Sequence, residues 1–171
     1  SRGIIHCDLK PENVMLGDYG EVLLMDWGIA LEISDAPEPD LRGEARAHRT
    51  TPAGTPAYMP PELAEGRGCD VGPWTDVYLL GAILYELVIG HPPHTRGDFM
   101  SSLIAAKISH PPQFPRGVSQ EIRDIITCAL AKEPSVRFQS AKEFRETLED
   151  LIEHQSSNRL LEDAEQWMCS L

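Results

Sequence analysis

The sequence lacks a C-x-x-C pair, an excess of basic residues and an apolar run long enough to cross a bilayer, and each absence removes a class of function. Its four cysteines, Cys7, Cys69, Cys128 and Cys169, stand far apart. Neither a zinc site nor a disulfide framework is therefore expected, and a reducing, cytoplasmic setting fits best. Lys and Arg total 15 against 27 Asp and Glu, a formal charge of −12. That is the wrong sign for a surface that neutralises phosphate backbones, so nucleic acid is not expected as a partner. The longest apolar stretch, Val77 to Ile89, is interrupted by Glu86. It falls short of the roughly 20 residues a membrane helix needs and reads as a buried core helix, so no membrane segment is expected. The opening residues Ser1-Arg2-Gly3-Ile4-Ile5-His6 carry neither an initiator Met nor a signal-peptide core, and the start reads as a cut.

What is present is an ordinary globular composition: 171 residues, 42% hydrophobic and 25% charged, enough for one domain with a core. The acidity is uneven. From Glu143 to Leu171 eight acids and two bases give a net −6, half of the total, which reads as a solvated helix face.

Asn13-Val14-Met15-Leu16 and Glu21-Val22-Leu23-Leu24-Met25, either side of Gly17-Asp18-Tyr19-Gly20, read as a β-hairpin after which strands end. Leu31 to Pro61 shows neither helical nor strand periodicity and reads as a long loop, a feature that is usually functional or disordered. Helices are expected over 74–89, closed by Gly90 and Pro92-Pro93, and over 99–109, 119–132 and 140–155, with Ser119 and Ser140 as N-caps. Past a break at Gln155-Ser156-Ser157-Asn158, Leu160, Leu161, Ala164, Trp167, Met168 and Leu171 share one stripe. That stripe reads first as a helix packing on its own domain or leading into another one, and secondly as a partner-binding helix.

His6-Cys7-Asp8-Leu9-Lys10-Pro11-Glu12-Asn13 and Asp26-Trp27-Gly28 flank the hairpin. Asn13 precedes its first strand and Asp26 follows its second, so both fall at the open end, where neighbouring strands run roughly 4.8 Å apart. An amide oxygen beside a carboxylate can share one Mg²⁺, whose shell is completed by phosphate and water. Asp8 and Lys10 bring a carboxylate and an ammonium to the same edge, a set suited to phosphoryl transfer.

At these residues the chain resembles the protein kinase superfamily. The first stretch matches the catalytic loop, Asp26-Trp27-Gly28 the metal-binding motif and Pro60-Pro61-Glu62 the end of the activation segment. Asp76-Val77-Tyr78-Leu79-Leu80-Gly81 is similar to the start of the family's central buried helix, and the likeness runs from Gly3 to about Glu153. The resemblance implies Asp8 as catalytic base, Lys10 as a phosphate contact, Asn13 and Asp26 as Mg²⁺ ligands and Met15 as a nucleotide contact. It further implies Asp76 as the carboxylate holding the catalytic-loop backbone, His6 as a structural histidine beneath Trp27, and Trp27 and Gly28 as structural residues. Glu62 and Arg137 become a structural ion pair. Lys10 and Thr55, in Gly54-Thr55-Pro56-Ala57-Tyr58, match the Ser/Thr-specific form. Thr50 and Thr51 are candidate phosphosites.

Cys7 departs from the pattern, standing where many members carry the Arg that pairs with a phosphorylated activation loop. Trp27 replaces the usual Phe and Pro60 the usual Ala. The glycine-rich loop, the strand lysine and its glutamate partner belong before His6, where only five residues stand; Gly66-Arg67-Gly68 and Lys107 lie in the wrong order to replace them.

The expected fold class is therefore mainly α with a small β-hairpin, a protein-kinase-like C-terminal lobe over residues 1–155 followed by a helix or linker over 156–171. The expected function is a cytoplasmic Ser/Thr protein kinase acting with ATP and Mg²⁺ on protein substrates, as a fragment inactive without its N-terminal lobe in cis. The alternative is a non-enzymatic docking module built on the helices after Pro92. Resemblance to basophilic members implies that Glu12 favours a basic residue upstream of the target hydroxyl.

Overall fold

The computed structural model describes residues 3–33, 44–45, 49–95 and 97–154. The hairpin forms from β2 (Val14–Leu16) and β3 (Val22–Leu24), antiparallel with Val14 opposite Leu24 and Leu16 opposite Val22. Gly17 and Gly20 close its turn, and the Met25 N–H donates to the Asn13 carbonyl at 2.9 Å, which carries the pairing one step past the strands. Asn13 and the Met25-Asp26 peptide thus lie at the open end.

The expectation that strands end at Met25 is corrected, and so is the reading of 31–61 as a loop without strands. A second sheet pairs β1 (Ile4–Ile5) with β4 (Leu31–Glu32) antiparallel, and β4 with β5 (Glu44–Ala45) in parallel. Two-residue strands are too short to show a period, and Leu31 is placed there by burial against Ile5 and Cys7 in one apolar cluster.

Five helices follow: α1 (Pro61–Ala64), α2 (Pro73–Ile89), α3 (Phe99–Ile108), α4 (Gln120–Ala129) and a run over 141–154, here α5. Pro73 opens α2, where a missing N–H costs nothing, and Gly90 closes it at φ 91° with its N–H on the Glu86 carbonyl. α2 is apolar on nearly every side, so it lies in the middle of the helical layer with Val77, Tyr78, Leu79 and Ala82 buried. It crosses α4 at Gly81, where a Cβ would stand 2.6 Å from that of Ala129. The Ser119 hydroxyl caps α4 through the Ile122 N–H, and the Ser140 hydroxyl caps α5 through the Glu143 N–H. Phe144 carries α5 onto Val77, Ile125 and Ala129.

The described residues are thus mainly α with two small sheets, the fold class that the resemblance implies. No helix among them is long and apolar enough to cross a membrane. The amphipathic stripe over 160–171, the 156–171 segment and Cys169 lie outside the described residues.

Candidate active site

The site is assembled on a backbone held from below. Asp76, in the first turn of α2, accepts the His6 N–H on Oδ2 at 2.9 Å and the Cys7 N–H on Oδ1 at 3.0 Å. Two successive amides converge on one carboxylate because Cys7 takes the left-handed conformation, φ 68°, which non-glycine residues adopt only when their surroundings hold them there. Burial pushes the Asp76 carboxyl above its usual range, and the two amide bonds work against that rise. The His6 ring continues the support: Nδ1 accepts the Asp8 N–H, and Nε2 therefore carries the proton donated to the Met25 carbonyl at 2.9 Å. His6 and Trp27 touch ring to ring, centroids 4.7 Å apart. One histidine thereby spaces the catalytic-loop segment from the end of the hairpin.

On that base Asp8 meets Lys10, Asn13 and Thr55. Asp8 Oδ1 accepts both the Thr55 N–H at 2.9 Å and the Thr55 hydroxyl at 2.8 Å. Lys10 Nζ donates to the same hydroxyl at 2.8 Å and stands 3.4 Å from Asp8 Oδ2. With its single proton on Asp8, the Thr55 hydroxyl has lone pairs left for Lys10, so the three side chains fix one another. Oδ2 has Lys10 at 3.4 Å and the Asn13 amide nitrogen at 3.5 Å, so it is the less tightly held of the two oxygens. The Asn13 amide donates to the Asp8 carbonyl at 2.8 Å, which commits its nitrogen inward and leaves its oxygen for another ligand. Asn13 is set there by the 3-10 turn Pro11–Asn13 that leads into β2.

Asp26 stands apart from this group. It is exposed, left-handed at φ 59°, and its Oδ1 is 3.4 Å from the Gly28 N–H. Among the described residues no three His, Cys, Asp or Glu side chains gather as a metal cage. The donor set at the hairpin end, one amide oxygen and one carboxylate, has the hard-oxygen character that suits Mg²⁺ shared with phosphate and water. Met15, two residues along β2 from Asn13, is half exposed on the hairpin. Thr50 and Thr51 are exposed on the approach to Gly54.

Glu62 and Arg137 form a separate, wholly buried centre. Arg137 bonds Glu62 in bidentate fashion at 2.7 and 2.9 Å, and its remaining N–H groups reach the carbonyls of Ala131, Lys132 and Trp74. Thr75 donates to Glu62 Oε1 at 2.9 Å, and the guanidinium lies 4.7 Å over the Tyr78 ring. Next to the Asp8 group, Tyr58 donates its hydroxyl to Glu86 at 2.7 Å. Burial, and then the Glu86 carboxylate, push the Tyr58 phenol well above its ordinary value.

Two residues of the site escape the motif reading. Gly54 lies at φ +115°, and a Cβ there would stand 3.2 Å from the Cys7 carbonyl and 3.6 Å from Asp8 Oδ1. Only glycine lets Thr55 come this close to Asp8; its position just before Thr55 is the signal that could have found it. Arg49 is buried, with its Nη2 on the Ile29 carbonyl at 2.7 Å, and nothing in the sequence marks it.

The model of the protein kinase domain family matches residues 1–155. Over 150 residues the chain is 37% identical to the serine/threonine-protein kinase PknB of Mycobacterium tuberculosis, which covers 85% of this chain and 22% of that protein. It is 32% identical to the serine/threonine-protein kinase PknD of Protochlamydia amoebophila over 183 residues, 99% of this chain and 18% of the relative. It is 37% identical to the serine/threonine-protein kinase Pkn1 of Myxococcus xanthus over 163 residues, 90% and 22%. The chain spans about a fifth of the length of the curated relatives it matches. With the matched domain and these relatives, the chain belongs to the protein kinase family.

Proposed function

We propose that this chain is the catalytic-loop and substrate-binding half of a cytoplasmic serine/threonine protein kinase that moves the γ-phosphate of ATP to hydroxyl groups of protein substrates. Its kinase part runs over 1–155, with 156–171 as an appended helix or linker. The observation that carries the reading is the Asp8–Thr55–Lys10 arrangement, in which two Thr55 bonds hold Asp8 Oδ1 while Oδ2 has the longer contacts, to Lys10 at 3.4 Å and to the Asn13 amide at 3.5 Å.

In this reading a Ser or Thr hydroxyl of the substrate donates to Asp8 Oδ2, which orients it and takes its proton as the oxygen attacks phosphorus. Lys10, 3.4 Å away, lies where it offsets charge on the transferring phosphoryl group. Thr55 keeps the Asp8 carboxylate from rotating. Asn13 and Asp26 would hold Mg²⁺, which supplies charge neutralisation across the phosphates, and Met15 would lie against the nucleotide. Glu12 is exposed and acts electrostatically on Tyr58, whose hydroxyl Glu86 already holds, so two carboxylates favour a basic residue near the acceptor. His6, Trp27, Gly28, Glu62, Asp76 and Arg137 support this apparatus without touching substrate. Cys7 offers no guanidinium to a phosphate on Thr50 or Thr51, so modification there is not an on-switch through the catalytic loop.

The 171 residues alone are expected to be inactive or nearly so, since catalysis of this kind is positioning and charge stabilisation and the nucleotide needs a clamp from both sides. A covering half in cis is consistent with the hairpin, where Leu16 is 77% exposed, Val22 60% and Leu23 58%. The test measures ATP-dependent phosphate incorporation into a basic protein substrate by the 171-residue chain and by a protein carrying both kinase halves, each with an Asp8→Asn control. Incorporation by the longer protein alone, lost on Asp8→Asn, is expected. Turnover by the short chain would overturn its predicted inactivity, and turnover indifferent to Asp8 would return the chain to the docking-module reading.

A further inference from the structure

Cys7 leaves the catalytic loop without a guanidinium, yet the activation segment buries one of its own. Arg49 comes from the activation segment, one residue before Thr50, and its side chain turns inward until the residue is only 5% exposed. Its Nη2 donates to the Ile29 carbonyl at 2.7 Å, in the turn that follows Asp26-Trp27-Gly28. It is near enough to the Cys7 thiol for its charge to oppose the rise that burial causes there.

The backbone at Arg49 is held as well. Its carbonyl accepts the Gly68 N–H at 3.1 Å. The next peptide packs so tightly that a Cβ on Gly66 would stand 2.6 Å from the Thr50 carbonyl oxygen. Earlier in the same segment β5 is paired with β4. The activation segment is therefore fastened at 44–45 and again at 49–50, using backbone bonds and one buried side chain.

We propose that Arg49 is a positioning residue for phosphoryl transfer, fastening the activation segment to the turn after Asp26-Trp27-Gly28 without any phosphate on Thr50 or Thr51. The inference rests on the kinase reading above and adds to it the origin of the segment's order. Residues 50–53 are the only link between Arg49 and Gly54-Thr55, whose N–H and hydroxyl hold Asp8 Oδ1 at 2.9 and 2.8 Å. Loosening Arg49 lets Thr55 drift from Asp8. The loss falls on turnover more than on nucleotide affinity, because the segment Arg49 anchors runs straight to Thr55, while its bond ends on the Ile29 backbone three residues past Asp26.

The test uses a protein carrying both kinase halves and compares wild type before and after phosphatase treatment with Arg49→Met, Arg49→Lys, the double variant Thr50→Ala/Thr51→Ala and Asp8→Asn. Arg49→Met is expected to lower kcat about tenfold or more while the KM for ATP stays within about twofold. Amide exchange over residues 49–55 should quicken about tenfold with α2 unchanged. Arg49→Lys should recover part of both effects, since one donor and the charge remain. The double threonine variant and the dephosphorylated wild type should keep kcat within about twofold. Either of these losing about tenfold, or Arg49→Met keeping kcat within about twofold, would overturn the proposal. If Arg49→Met does not fold, Arg49→Lys and the dephosphorylated wild type decide it by the same measures. Undiminished turnover in Asp8→Asn would instead refute the kinase reading, and the exchange rates would still report on Arg49.

Discussion

Replacing Arg137 by Ala removes the cation from the most deeply buried charge pair described. Glu62 and Arg137 side chains have no exposure, and their two bonds measure 2.7 and 2.9 Å. Without Arg137 the Glu62 carboxylate retains the Thr75 hydroxyl at 2.9 Å, and the carbonyls of Ala131, Lys132 and Trp74 lose their donor. Breaking a buried pair from one side costs about 3–5 kcal/mol, because the surviving charge stays out of water. For a domain of this size each kcal/mol moves Tm by about 2–4 °C, so a fall of roughly 6–20 °C is expected. Urea unfolding at fixed m should give the same free energy. The companion variant Glu62→Met/Arg137→Met, with both charges gone, should cost less than the two single changes together, and Arg137→Lys should lie between wild type and Ala. An Arg137→Ala cost below about 1 kcal/mol would mean that water reaches this centre, and the buried-pair account would be wrong.

Two further outcomes follow from the site. Thr55→Ala, which removes the hydroxyl shared by Asp8 and Lys10, should lower kcat about tenfold or more in a protein with both kinase halves. Thr55→Ser should stay within about threefold, and kinetics with a Ser-containing peptide decide between them. Burial pushes the Cys7 thiol from an ordinary 9.0 up to about 12. The folded state therefore keeps a proton that the unfolded chain gives up, and stability falls as pH rises from about 9 towards 12. Cys7→Ala should flatten that fall in urea titrations at pH 8 and pH 10, and iodoacetamide at pH 8 should label exposed Cys69 well before Cys7.

The parts of the fold that the sequence announced are those whose cause is local. The hairpin needs only two short apolar strands and a glycine-bounded turn, and α2 is bounded by its own Pro73 and Gly90. β1, β4 and β5 were not legible, because two residues carry no period and Leu31 finds Ile5 from far along the chain. The polar residues of the catalytic loop could be read as a group from motif order. What the order could not supply was the work of uncharged or unremarkable neighbours: Gly54 admitting Thr55 to Asp8, and Arg49 turning inward to Ile29. Their meaning depends on which backbone atom lies opposite, and that is fixed only by the assembled fold.

The central claim is that Asp8 serves phosphoryl transfer to a Ser or Thr hydroxyl. Single-turnover transfer from γ-labelled ATP, in a protein carrying both kinase halves with matched Ser, Thr and Tyr peptides, tests it most directly. Transfer to Ser and Thr but not Tyr, slowed about 100-fold or more by Asp8→Asn with ATP binding preserved, is the predicted result. Transfer within a few-fold of wild type in Asp8→Asn, or equal transfer to Tyr, would contradict the account.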